Sequence, residues 1–383
     1  MKKILVCITA RPSYSRVKTV IQALQEDRSL EVAVLASGSA LLERYGRVVD
    51  LIRADGILVE EEIHTFVEGS NPSNMAVTTA LTTEASARSF ERLRPDMVVT
   101  VADRYETLGS AIAASYSGIP LAHIQGGEVT GNIDERVRHA VTKLSDLHFV
   151  ANRDAADRIR RMGECPDNIF VTGCPSIDLV KGALQIELDN VQTAVDSVGV
   201  GADIDISNDF SIVMQHPETE RFQDSYNQML STLNAVEKIG LPVLIFWPNV
   251  DAGADSTSKA IRVMRENGAL KHARLIKNLE GQSFLKLLSR ARFLAGNSSV
   301  GIRESGYLGI PVINIGDRQR NRLSGCNVKH VGWNSEDIYQ AMREQLAANL
   351  YAENHVYGDG TSGQRIAEVI TQWSCVSPKI FFD

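Results

Sequence analysis

Short runs of aliphatic and β-branched residues alternate along this chain with longer amphipathic stretches, and the alternation predicts its architecture. Residues 4–8 carry no polar position, the pattern of a parallel strand buried on both faces, and 17–24 read as part of the helix that follows. The unit recurs as strand 32–36, helix 76–93, strand 97–101, helix 108–117, strand 121–124, helix 135–144 and strand 147–150. A second series begins near Phe210, with strands at 211–214, 243–246, 274–276, 293–295 and 312–315. Helices lie between them, for example 221–238 and 283–289. Such repetition predicts parallel sheets with helices on both faces. The expected fold class is α/β, with two Rossmann-like doubly wound domains facing a cleft.

Length and composition sharpen this picture. A chain of 383 residues exceeds one ordinary core and suits two. Residues 181–208 hold no long apolar strand and no strong helix cap, and read as the connection. The boundaries expected are 1–180 for the amino-terminal domain and 181–360 for the carboxy-terminal one, with a helix in 361–383 as a candidate to pack back on the first.

The 40 basic against 47 acidic side chains give a net charge of −7, which argues against a general nucleic-acid binder while leaving room for a local anion site. Five cysteines, odd in number and without C-x-x-C, point to neither a disulfide framework nor a zinc ribbon. A reducing cytoplasm is the expected compartment. Too few apolar residues precede Arg11 for a secretory segment, and no stretch approaches the roughly 20 that cross a bilayer.

Ligands of open α/β sheets bind beyond the carboxyl ends of strands, so the residues after each strand deserve the closest reading. After the first strand comes Thr9-Ala10-Arg11-Pro12-Ser13-Tyr14-Ser15, with no G-x-G-x-x-G fingerprint. Arg11 reads as an anion contact or as a surface loop arginine. Asp103 sits at the lip of the sheet, beside Arg104, and reads equally well as a helix N-cap. Around Gly126 and Gly127, beside Gln125, gather His123, Glu128, Asp134, Glu135, Arg138 and His139, more ionisable groups than a structural loop needs. No H-x-x-x-H or H-E-x-x-H pair is present, so a metal site is not expected.

In the second series, the strand 211–214 runs into Gln215 and His216, which is followed by Pro217. Gly296 to Gly306 is rich in small residues at a strand-to-helix turn, which suits a diphosphate on Ser298 and Ser299, with Glu304 one to two turns into the helix and able to accept ribose hydroxyls. Arg318 lies on a further cationic loop. With two such domains the expected site is the cleft between them.

Taken in order, these clusters resemble the UDP-N-acetylglucosamine 2-epimerase family, and more closely its hydrolysing branch. The matching residues are Arg11 with Tyr14, Asp103-Arg104, the HIxGGE loop 123–128, the IDExxRHAxTK stretch 133–143, Gly173-Cys174-Pro175-Ser176, His216-Pro217, the GNSSxGxRE stretch 296–304, and 311–319. The resemblance covers nearly the whole chain. It implies a glycosyltransferase-B-like fold and a UDP-sugar substrate whose nucleotide is held mainly by the second domain. It implies that Ser298, Ser299 and Glu304 hold the diphosphate and ribose, that Arg11 and Arg318 lie near the phosphates, and that Asp103, Asp134 and His216 surround the sugar. It further implies a homodimer or homotetramer, and neither metal nor organic cofactor.

Two positions depart from the pattern. Hydrolysing members often carry a carboxylate where this chain has Gln125, and a histidine in the loop after the second strand, where this chain reads Ser37-Gly38-Ser39-Ala40. Glu128 as the substitute carboxylate, a differently organised reaction and a modified UDP-sugar remain open readings. The expected chemistry is loss of UDP from C1 with the C2 proton, giving 2-acetamidoglucal, then hydration to N-acetylmannosamine. Inversion at C2 requires acid/base groups on both faces of the ring, for which Asp103, Asp134, Glu128 and His216 are the candidates. A non-hydrolysing epimerase, a glycosyltransferase and a UDP-sugar-binding regulator are the competing readings.

Overall fold

The computed structural model describes residues 1–383 except 44–45, 70, 103, 131–132, 250, 349 and 375–378, and describes the backbone but not the side chain of Arg11. The chain divides into two compact units. One comprises Met1–Glu128, Ile133–Asp178 and Tyr357–Asp383; the other comprises Val129–Asn132 and Leu179–Val356.

The amino-terminal unit is built on seven strands: β1 (Lys2–Ile8), β2 (Leu30–Ser37), β3 (Val59–Ile63), β4 (Met97–Val101), β5 (Leu121–Ile124), β6 (Leu147–Val150) and β7 (Ile169–Val171). They pair in the order β3-β2-β1-β4-β5-β6-β7, all parallel. Successive side chains of a strand face opposite sides of its sheet, and the two cores follow that period. Ile4, Val6, Ile8, Val34, Val99 and Ile124 belong to one apolar cluster; Leu5, Cys7, Leu35, Val98 and Leu121 belong to the other. Each fully buried aliphatic side chain contributes roughly 1.5–3 kcal/mol. Burial also pushes the Cys7 thiol up to about 12.

The last helix, Ser362–Gln372, packs Ile366, Ala367 and Ile370 into the first of these clusters. Both of its ends are capped from elsewhere in the unit. Asp178 accepts the Ser362 and Gly363 amides at 2.9 and 2.6 Å, and Lys2 Nζ donates to the carbonyls of Ile370 and Trp373 at 3.0 and 2.9 Å. An acidic group at the amide end and a cation at the carbonyl end complement the helix dipole.

The carboxy-terminal unit repeats the plan with β8 (Gly199–Gly201), β9 (Ser211–Met214), β10 (Val243–Phe246), β11 (Ala273–Ile276), β12 (Leu294–Gly296), β13 (Val312–Ile315) and β14 (Val328–Val331). Their order is β14-β13-β12-β9-β10-β11-β8, parallel except for β8, which runs antiparallel along β11. Here Val213, Ile245, Leu275 and Ile313 face one core while Ile212, Leu244, Ile276 and Val312 face the other.

Residues 181–208 are more structured than their sequence suggests. Leu188–Val198 is helical and buries Val191 and Val195, and Gly199–Gly201 is the antiparallel edge strand. Gly199 suits that edge, because a Cβ on it would lie 2.3 Å from Arg274 Nε and 2.8 Å from the Val195 carbonyl oxygen. Among the described residues no helix is long and apolar enough to cross a membrane.

Candidate functional site

In a doubly wound sheet the crevice opens where the strand order reverses, because the loops leaving the two central strands turn to opposite faces. In the first sheet that point lies between β1 and β4, in the second between β9 and β12. The clusters singled out from sequence occupy the loops after these four strands and their neighbours.

After β1, Arg11 opens the five-residue helix Arg11–Ser15. Tyr14 Oη donates to Asp55, which also receives Lys18 Nζ at 2.8 Å, so the helix is pinned by a carboxylate forty-one residues away. After β2, Ser39 Oγ and the Ala40 amide both donate to the Thr9 carbonyl, at 3.3 and 3.1 Å. The loops after β1 and β2 are thereby tied together. Gly38, at φ +57, is required at this junction: a Cβ there would stand 2.9 Å from Thr9 O and 3.1 Å from Glu106 Oε1.

After β4, Asp103 lies outside the described residues. Arg104 is buried, its guanidinium over the Tyr105 ring at 4.9 Å and its Nη2 3.3 Å from Glu106 Oε1. Glu106 is 0% exposed and, among the described residues, its second oxygen makes no hydrogen bond. Nothing in the sequence distinguished this carboxylate, since a glutamate in the first turn of a helix is ordinarily solvated.

After β5 the loop turns on Gln125 and Gly127, at φ +65 and +74. A Cβ on Gly127 would lie 2.4 Å from the Ala155 carbonyl, so only glycine fits. Gln125 is buried and its amide contacts the Cys174 thiol, which in turn lies 2.9 Å from Ser176 Oγ. The residue standing at the departure from the family pattern thus engages the loop of the Gly-Cys-Pro-Ser motif. Glu128 is buried and its carbonyl accepts Arg138 Nη1 at 2.8 Å; Asp134 lies buried in the first turn of the helix Ile133–Leu144. Burial first, then the Arg138 charge, lower the pKa of His139.

The carboxy-terminal unit shows the tighter construction. Asn297 Oδ1 accepts the His216 amide at 2.7 Å, and its Nδ2 donates to the His216 carbonyl at 2.9 Å. The Asn297 carbonyl receives Gln319 Nε2 at 2.9 Å and Arg318 Nη1 at 3.3 Å. Asn297 therefore joins the loops after β9, β12 and β13. Gly296, at φ +133, allows this approach, because a Cβ would lie 2.1 Å from Met214 O.

Ser298 and Ser299 are half-buried at the turn, with Ser298 Oγ capping the Val300 amide at 3.5 Å. Glu304 opens the helix Glu304–Leu308 instead of lying one to two turns into it, because a 3₁₀ turn over Ser299–Gly301 takes up the preceding residues. Its Oε2 is buried and makes no hydrogen bond among the described residues. Arg318 Nη2 lies 3.7 Å from Asp251 Oδ2. Glu218, whose pKa burial raises, accepts the Asp317 amide at 2.6 Å and so anchors the Arg318 loop.

The structure therefore brings Arg104, Gln125, Glu128 and Asp134 to the carboxyl edge of the first sheet, and His216, Ser298, Ser299, Glu304 and Arg318 to that of the second. The sequence did not single out Glu106, Asn297, Gln319 or Asn249, whose amide donates to His216 Nδ1 at 3.1 Å. Asn297 alone carried a signal, as the polar residue between Gly296 and the two serines.

Comparison with known proteins follows the same lines. The family model described as UDP-N-acetylglucosamine 2-epimerase matches residues 22–371. A UDP-N-acetylglucosamine 2-epimerase of Neisseria meningitidis is 28% identical over 390 residues, covering 100% of this chain and 99% of the relative. A UDP-N,N'-diacetylbacillosamine 2-epimerase (hydrolyzing) of Legionella pneumophila is 29% identical over 370 residues, covering 97% and 96%. The crystal structure of Methanocaldococcus jannaschii UDP-GlcNAc 2-epimerase in complex with UDP-GlcNAc and UDP superposes with a TM-score of 0.80 at 19% identity, covering 96% of this chain and 99% of that one.

Proposed function

This chain belongs to the UDP-N-acetylglucosamine 2-epimerase family, and from that membership we propose that it is the hydrolysing form of the enzyme, converting UDP-N-acetylglucosamine to UDP and N-acetylmannosamine. The observation that carries the reading is the fall of the ordered motifs on the loops at both switch points and after the neighbouring strands, the edge at which open sheets bind their ligands.

The hydrogen at C2 is not beside a carbonyl, so its direct removal is very difficult. Loss of UDP makes it acidic, because C1 becomes oxocarbenium-like as the C1–O bond breaks. In the proposed reaction a carboxylate of the amino-terminal unit takes the C2 proton, the C1–O electron pair leaves with the diphosphate, and 2-acetamidoglucal forms. Water then adds across the double bond, its oxygen to C1 and a proton to C2 from the other face. Asp103 and Asp134, with Glu128 as a substitute for the carboxylate that the family places at the Gln125 position, are the candidates for these transfers. Ser298, Ser299, Arg11 and Arg318 would hold the diphosphate and Glu304 the ribose, so that donors stabilise the charge that develops on the leaving group.

A second reading is favoured by Gln125 and by the Legionella relative, whose name specifies a diacetamido sugar. On that reading the chemistry is unchanged and the substrate is a UDP-N,N'-diacetylhexosamine.

One experiment tests both. Purified protein in heavy water is mixed with UDP-N-acetylglucosamine, UDP-N-acetylgalactosamine and UDP-N,N'-diacetylbacillosamine, and the products are followed by NMR. Free N-acetylmannosamine deuterated at C2, with UDP, supports the hydrolysing reaction. UDP-N-acetylmannosamine would make the enzyme non-hydrolysing, and a product without deuterium at C2 would remove the elimination altogether. Turnover of the diacetamido sugar alone would select the second reading.

A further inference from the structure

We propose that His216 acts as a neutral hydrogen-bond donor through Nε2–H, held in that form by the Asn249 amide and positioned by Asn297, and that it is not a general base. The inference rests on the function proposed above and specifies the part of one residue in it.

The argument starts from a backbone amide. Asn249 N–H donates to His216 Nδ1 at 3.1 Å. An amide N–H has no lone pair to offer, so Nδ1 must be the acceptor and the ring's proton resides on Nε2. An imidazolium would set Nδ1–H against the Asn249 N–H, two donors facing each other. The ring therefore has no site at which to receive a proton in this geometry: Nδ1 is engaged and Nε2 already carries one. Taking up the C2 proton is closed to it, whereas donating a hydrogen bond is not.

Asn297 supplies the precision. Its side chain is 0% exposed and grips the His216 backbone from both sides, amide and carbonyl, across 81 residues of sequence. Its own carbonyl holds Arg318 and Gln319, and Ser298 follows it directly. The residue that orients His216 thus also orients the groups assigned to the diphosphate. A fixed N–H on the residue whose backbone Asn297 holds suits an oxygen whose negative charge grows as the C1–O bond breaks, since donors positioned in advance need not reorganise during the reaction. Proton transfer at C2 is left to the carboxylates. Asn297 is a positioning residue; His216 is the group that meets the substrate.

The tautomer can be read without turnover. In the full chain labelled with ¹⁵N-histidine, two-bond proton–nitrogen spectra are recorded with and without UDP across about pH 6 to 8, and His216 is assigned by its absence from His216→Gln. The expected result is a single Nε2–H form that persists through the range and shifts on addition of UDP. An Nδ1–H form or an imidazolium would overturn the proposal.

Kinetics give the second arm. The amide of His216→Gln offers an N–H that does not titrate, and kcat is expected within about tenfold of the parent, whereas His216→Ala loses about 100-fold. Equal losses in the two variants would mean that donation is not what the ring provides. Asn297→Asp keeps the acceptor for the His216 amide but loses the donor to its carbonyl. It is expected to lower kcat about tenfold and to populate a second tautomer; an unchanged spectrum and rate would remove Asn297 from the assignment. A protein that holds the Nε2–H form and binds UDP but turns over no UDP-sugar would sink the proposed function alone. One that turns over the sugar with an imidazolium at His216 would sink this inference alone.

Discussion

His123 Nε2 lies 2.9 Å from the carbonyl oxygen of Ala102, the residue immediately before Asp103. A carbonyl only accepts, so Nε2 carries the proton, and Nδ1 accepts from the Thr142 hydroxyl at 3.2 Å. Ala102 is held at φ +63, a conformation that a residue with a Cβ rarely adopts, and its amide is bonded to Ile124 O at 2.9 Å. The histidine thus stabilises a strained backbone from which a catalytic candidate departs. His123→Phe is expected to lower kcat by about 10- to 100-fold while UDP affinity changes less than about twofold, because misplacement affects chemistry more than nucleotide binding. Steady-state kinetics and calorimetric titration with UDP measure the two quantities, and an unchanged kcat would refute the positioning role.

Glu106, fully buried, pairs with the largely buried Arg104, and Gly38 packs against it. Removing Glu106 takes one charge partner from the buried Arg104 guanidinium and leaves a void where a fully enclosed side chain stood. Glu106→Ala is expected to reduce unfolding free energy by about 3 kcal/mol. Urea denaturation measures the loss, and a change below about 1 kcal/mol would show that Arg104 has enough other partners to dispense with it.

Gly127→Ala should be poorly tolerated. The added methyl group meets backbone, the Ala155 carbonyl, and the φ of +74 is itself unfavourable for alanine. A loss of about 2 kcal/mol or more is expected in thermal or urea unfolding. Gly126→Ala provides the comparison. Its closest approach is 3.0 Å, to side-chain atoms of His123 and Thr142, and its backbone needs no positive φ, so the loss should be smaller.

Acid stability should depend on Glu164. Burial alone would raise its pKa, but hydrogen bonds from His148, Lys143 and Lys379 outweigh it and hold the carboxyl at about 2, below its ordinary 4.5. A carboxyl depressed on folding contributes stability that is complete above its unfolded pKa and is lost as pH falls toward the folded one. His148, lowered from 6.5 by its own burial, acts in the same direction at higher pH, since the unfolded chain binds its proton more readily. Stability should therefore begin to fall below pH 6.5 and fall more steeply between 4.5 and about 2. Urea midpoints measured against pH should show the steeper part flattened in Glu164→Gln; an unaltered profile would place the acid sensitivity elsewhere.

The central strands were legible because their physics is local. Residues 97–101, 121–124, 147–150, 211–214, 243–246 and 312–315 are strands with the bounds that their apolar runs suggest, since a strand buried on both faces is apolar at most positions, with single buried polar residues such as Thr100, His123 and Asn314 as exceptions. The edges were not legible. β3 reads Val-Glu-Glu-Glu-Ile and β14 reads Val-Lys-His-Val, because an edge strand has a neighbour on one side only and its polar side chains reach solvent or ion pairs such as Lys3 with Glu60.

By itself, then, the sequence determined the α/β class, the buried strands and the ordered motifs that mark the family, all of which follow from residue type and short spacing. Tertiary structure decided what individual polar residues do. His123 and His216 look alike in sequence, each a histidine at or just beyond the end of an apolar run. Ala102 and Thr142 surround the first, while Asn249 and Asn297 hold the second. A hydrogen bond is set by distance and direction in space, and partners 81 residues apart leave no periodic trace along the chain.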